Sequence, residues 1–147
     1  FMEEIIKEKI SADHLLYVSL KYTKTCDVIV NLLLRWKEMI NVSIEEILIH
    51  AKKKKKITLI PTNPVGKIEL IRKLLKKDTN FMEVLDMYEM FKKIKELRTE
   101  RIGEFRKNVA LNVIYKGQEI VVNLEKLKEY AEKIERFIES VKKSLNS

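Results

Sequence analysis

The chain has 147 residues with 30 Lys+Arg against 22 Asp+Glu, a net charge of +8, and is 46% hydrophobic and 35% charged. That length and mixture suit one globular domain and exclude a disordered chain. Three Gly, two Pro and a single cysteine exclude an architecture of many tight turns, a disulfide framework and a multi-cysteine zinc site.

No secretory signal and no apolar run long enough to span a bilayer is read in the sequence, so the expected compartment is the cytoplasm, with no membrane partner. Phe1 is set aside and Met2 is taken as the start. Heavy Lys, Glu and Ile usage beside one glutamine, Gln118, matches the composition of hyperthermophile proteins.

In chain order, Ile5, Ile6 and Ile10 mark a short helix or arm over residues 1–10. Ser11-Ala12-Asp13 reads as an N-cap for a long helix whose stripe is Leu15, Ser19, Tyr22, Cys26, Ile29, Leu33, Trp36 and Ile40. Leu16, Leu20, Val30 and Leu34 widen that stripe, so the helix is expected to be central or to need a partner. Asn41-Val42-Ser43 is a candidate interruption before Ile44, Ile47, Leu48 and Ala51 carry the period onward.

After a lysine run, Asn63-Pro64 reads as an N-cap followed by Pro at the first helical position, opening a short helix through Leu75. Asp78 or Thr79 can cap the next helix, expected from about Phe81 to about Asn108 with Val84, Met87, Phe91, Ile94, Leu97, Arg101 and Phe105 on one stripe. Gly103 inside a helix would cost roughly 1 kcal/mol relative to Ala. Alternation at Val109, Leu111 and Val113 and at Ile120 and Val122, around Lys116-Gly117, predicts a β-hairpin. Asn123 then caps a last helix with Leu124, Leu127, Ala131, Ile134, Ile138, Val141 and Leu145 in strict heptad steps. Glu129/Lys133, Glu132/Arg136 and Glu139/Lys143 offer i,i+4 pairs on its outer face. The expected fold is all-α: one domain, residues 1–147, an up-and-down bundle of four main helices with a small β-hairpin before the last.

Charge is concentrated. Between Ala51 and Lys77 there are ten basic residues and one acid, Glu69, so this segment carries +9 and the rest of the chain −1. Lys52, Lys53, Lys54, Lys55 and Lys56 are candidate nucleic-acid contacts, since such a field attracts polyanions. The competing reading is a solvated helix end whose lysines complement the dipole. No aromatic residue interleaves with the run, so base-stacking platforms are missing from it.

Catalytic motifs are scarce. His14 and His50 lack partners at ligand spacing, Cys26 falls on an apolar stripe as a buried thiol, and Gly66, Gly103 and Gly117 form no phosphate loop. No metal or cofactor is expected. One constellation exceeds background: Arg98, Arg101, Arg106 and Asn108. On a helix Arg101 and Asn108, seven apart, would lie within about 20° of one another. The arginine fork suits a phosphate, whereas Glu100 or Glu104 could instead hold Arg101 in a structural ion pair.

The helical pair, the Arg-rich helix end with Asn108, and the final helix from Leu124 through Val141 together resemble the HEPN superfamily of nucleotide-binding helical bundles, over roughly Ser11 to Leu145. The resemblance implies a homodimer, and in many members a ribonuclease whose motif is an Arg, four to six residues, then His. Arg101 stands at the arginine position and Asn108 where the histidine would be. Imidazole normally moves the proton in metal-independent RNA cleavage, and Asn cannot do so near neutral pH. The expectation is therefore a non-catalytic homodimer that binds RNA or a nucleotide. The alternatives are an interaction module with a second protein, such as one half of a two-component system, or a degenerate ribonuclease dependent on Arg101.

Overall fold

The computed structural model describes residues 2–147; Phe1, set aside above in favour of Met2 as the start, lies outside them. The N-terminal segment is a helix, not an arm. Helix α1 (Met2–His14) runs without a break into a π turn (Leu15–Ser19) and a closing turn, α2 (Leu20–Tyr22). The expected cap at Ser11–Asp13 does not form. Ile5, Ala12, Leu16 and Leu20 are buried along this stretch, and their burial outweighs a local capping preference. Asp13 sits instead in the last turn of α1, 2.7 Å from Lys9 Nζ.

The break falls about three turns later than the sequence suggests, at residues 23–25. Thr25 Oγ1 accepts a hydrogen bond from Val28 N and caps α3 (Cys26–Lys53). Tyr22 thereby leaves the expected stripe and is 78% exposed. Within α3, Ile29, Leu33, Trp36, Ile40, Ile44 and Ile47 are buried by the chain's own helices and sheet, whereas Val30 and Leu34, which widen the stripe, are half-buried. Asn41-Val42-Ser43 does not interrupt the helix. Ser43 Oγ donates back to Met39 O at 2.8 Å, and Tyr88 Oη donates to Asn41 Oδ1.

Local capping then proceeds as expected. Asn63 Oδ1 accepts from Gly66 N at 2.6 Å to open α4 (Pro64–Leu74), and Asp78 Oδ1 accepts from Phe81 N at 3.0 Å to open α5 (Thr79–Lys93). Asn123 Oδ1 accepts from Lys126 N at 2.8 Å to open α6 (Leu124–Leu145). Helices α3, α5 and α6 meet at an aromatic joint of Trp36, Phe91 and Tyr130, and Phe81 packs on Phe137 with ring centroids 4.7 Å apart. On the outer face of α6, Glu129 and Glu139 pair with Lys126 and Lys142 at i,i+3.

The largest correction concerns the helix expected from Phe81 to Asn108. It ends at Lys93, and Thr99–Ile102 forms strand β1, which pairs antiparallel with β2 (Ala110–Tyr115) with Arg101 opposite Leu111. Strand β2 pairs in turn with β3 (Gln118–Asn123), Val113 opposite Ile120, giving the order β1-β2-β3. The apolar spacing is helical through Leu97 but continues by coincidence. Phe105 is 77% exposed and, like Gly103, has positive φ, which no helix accommodates. The hairpin turn is as anticipated, with Lys116 and Gly117 both at positive φ.

The fold is therefore mostly helical with a three-stranded antiparallel meander ahead of the last helix, not an all-α four-helix bundle. Among the described residues a hydrophobic cluster joins the helices to the sheet. Among the described residues no helix is long and apolar enough to cross a membrane.

Candidate anion-binding site

The residues singled out by the sequence fall in two separate places. Lys52 and Lys53 occupy the last turn of α3, Lys54 is its C-cap, and Lys55 adopts φ +60 as the chain leaves the helix. All five lysines from Lys52 to Lys56 are exposed. The rest of the basic segment is partly neutralised: Lys67 pairs with Glu45 and Arg72 with Asp86 at 3.0 Å. Lys73, Lys76 and Lys77 remain exposed.

Arg98, Arg101, Arg106 and Asn108 lie at the other end of α3. A helix of 28 residues at 1.5 Å per residue spans about 42 Å, so the lysines and the arginines cannot contact one short ligand together. Nor do Arg101 and Asn108 share a helical face. Arg101 is on β1, and Asn108 belongs to the turn before β2, where its side chain lies against Gly103. Arg98 and Arg106 are exposed, and their backbones close the strand and the turn: Ile114 N donates to Arg98 O, and Arg106 N to Gly103 O.

The guanidinium of Arg101 is occupied. Its Nη2 donates to Asp27 Oδ1 at 2.6 Å and its Nη1 to Glu104 Oε1 at 3.4 Å, with the side chain 51% exposed. The hydrogen bond donated to Asp27, reinforced by the carboxylate's charge, raises the Arg101 pKa above its ordinary value. Glu104 Oε2 also accepts from Cys26 N, placing two carboxylates on the positive end of α3. Phe105 N donates to Lys24 O at 2.6 Å and Cys26 Sγ to Ala110 O at 3.2 Å, so this junction ties the sheet to the start of α3. Glu104 was available to sequence reasoning because it is three residues from Arg101. Asp27, 74 residues away, carried no local signal.

Burial pushes the Cys26 thiol up to about 11, with the Glu104 carboxylate adding to the rise. The thiolate, not the thiol, attacks disulfide reagents. Cys26 in the native protein is expected to react with an aromatic disulfide at pH 8 roughly two orders of magnitude more slowly than in the unfolded chain. Equal rates would show that the thiol is open. The raised value also means that the native state holds its proton between the unfolded thiol pKa and about 11, so this contribution to stability is lost as pH rises through that window.

His14 Nδ1 is 3.4 Å from Ser19 Oγ, and His50 Nε2 is 3.1 Å from Ser147 O. Among the described residues no group of three or more His, Cys, Asp or Glu side chains is placed to hold a metal ion. Compared with protein-family models, curated proteins and solved structures, the chain matches none.

Proposed function

We propose that the chain binds RNA, without catalysis, through the lysine run at the C-terminal end of α3. The observation that carries this reading is the +9 segment between Ala51 and Lys77, with Lys52 to Lys56 exposed side by side. Attraction of this kind depends on phosphate charge and not on base identity. Arg101 is left out of the contact surface because Asp27 and Glu104 already fill its fork. Asn108 offers no group that moves a proton, which weighs against the HEPN-like ribonuclease reading.

Anisotropy of a labelled 20-nucleotide oligouridine tests it. Binding is expected at low salt, with log K falling linearly as log salt rises. Replacing all five lysines with Gln is expected to make that slope shallower by up to about 3.5, taking about 0.7 per neutralised phosphate. Arg101→Ala is expected to leave it unchanged. No binding at low salt, or a slope indifferent to the five lysines, would sink the proposal.

A second reading, association with another copy of the chain, is favoured by a different surface. Ile10 is 64% and Tyr17 56% exposed, and Ile6, Val18 and Tyr22 join them along the N-terminal helical segment. Light scattering separates the two: a monomer at high concentration removes the dimer and leaves the RNA proposal standing.

A further inference from the structure

The end of α3 remote from the lysine run holds a basic place of different character. A cavity of about 230 Å³ lies between the π turn with α2, the approach to β2 and the first turns of α6. Leu16, Tyr17, Leu20, Val109 and Leu124 supply its apolar lining. The rest of the lining is four lysines: Lys21, Lys24, Lys107 and Lys128. No carboxylate lines it, and among the described residues none of the four lysines makes an ion pair.

Several independent features of the fold converge there. The π turn, a rare geometry that recurs at functional sites, contributes Leu16 and Tyr17. Leu124 opens the strict heptad series of α6 yet stays 40% exposed, because it lines this cavity and is not in the core. Lysine stems cover apolar surface while their ammonium groups stay in water, so four like charges gather about one apolar hollow. They repel each other, and the positive end of α6 adds to the field. Lys24 Nζ already turns to a backbone oxygen, Lys21 O at 2.5 Å, and the Lys21 ammonium lies over the Tyr22 ring.

We propose that this cavity binds a small amphipathic anion, a short aliphatic chain or single ring ending in a carboxylate or phosphate. The apolar part would fill the hollow, and the anionic end would sit among the lysines. The apolar lining offers few partners for a polar ring, and the volume falls below the roughly 300–1,000 Å³ of drug-sized sites, which suits a short chain. The inference is independent of the RNA proposal, from which α3 separates it.

Calorimetry at low salt with octanoate, octylammonium, 1-octanol and acetate tests it. Saturable one-site binding is expected for octanoate, at least tenfold tighter than for the other three. Leu124→Trp, which fills the cavity from a partly exposed position outside the core, is expected to abolish octanoate binding with the melting temperature retained. Lys107→Gln with Lys128→Gln, both exposed and safe for folding, is expected to weaken octanoate about tenfold and leave octanol unchanged. Octylammonium binding as tightly as octanoate would overturn the proposal, as would octanoate binding that ignores both variants. Sedimentation with phosphatidylglycerol vesicles and no binding of free octanoate would also overturn it, showing a membrane surface as the source of the anion.

Discussion

Gly103→Ala is expected to destabilise the protein by about 2–3 kcal/mol, the cost of a left-handed non-glycine residue compounded by a clash. Gly103 has φ +64, and a Cβ there would lie 2.7 Å from Asn108 Oδ1, 3.0 Å from Asn108 O and 3.1 Å from Asn108 C. Two of those atoms are backbone of the turn that leads into β2, so relief would require shifting the strand. The sign is diagnostic. If residues 81–108 were helix, the same substitution would stabilise by roughly 1 kcal/mol. Thermal melts of the two proteins distinguish the outcomes directly.

Phe91→Ala is expected to cost about 3–5 kcal/mol, the largest single loss anticipated here. Phe91 is fully buried, stacked 6.1 Å from Trp36 at an interplanar angle of 27° and edge-on to Tyr130 at 5.4 Å. Removing the ring empties a place where α3, α5 and α6 meet. The surrounding aromatics are themselves fixed and cannot collapse fully into the space. Urea unfolding followed through Trp36, the single tryptophan, measures the loss and reports the altered ring environment together. A loss below about 1 kcal/mol would mean that the joint is looser than its geometry indicates.

The parts of this fold legible in the sequence are those whose physics is local. Asn63, Asp78 and Asn123 each cap a helix that begins within three residues of them, and Lys116-Gly117 fixes its own turn. The heptads of α6 could be read because the helix buries one stripe against one set of neighbours. Strand β1 could not be read. Its only partly buried residue is Ile102, so it shows no alternation, while Leu97, Arg101 and Phe105 mimic helical spacing. The Ser11–Asp13 cap is a sound local signal overruled at a distance, by the burial of Ala12 and Leu16.

The candidate sites divide the same way. The lysine run is plain as composition, and the Arg101–Glu104 pair lies within three residues. The lysine-lined cavity, by contrast, draws on residues from 16 to 128, brought together only by the tertiary fold. The separation of the arginines from Lys52–Lys56 likewise follows from the uninterrupted length of α3, which the suspected break at Asn41–Ser43 would have shortened.

Strand β1 is an outer edge of the sheet and is only four residues long. Thr99, Glu100 and Arg101 face water along it, and Arg101 is tethered sideways to Asp27 of α3. A strand from a neighbouring molecule seeking to extend the ladder would meet a short template bearing both signs of charge, one of them anchored. The meander therefore offers a poor template for further pairing on that side.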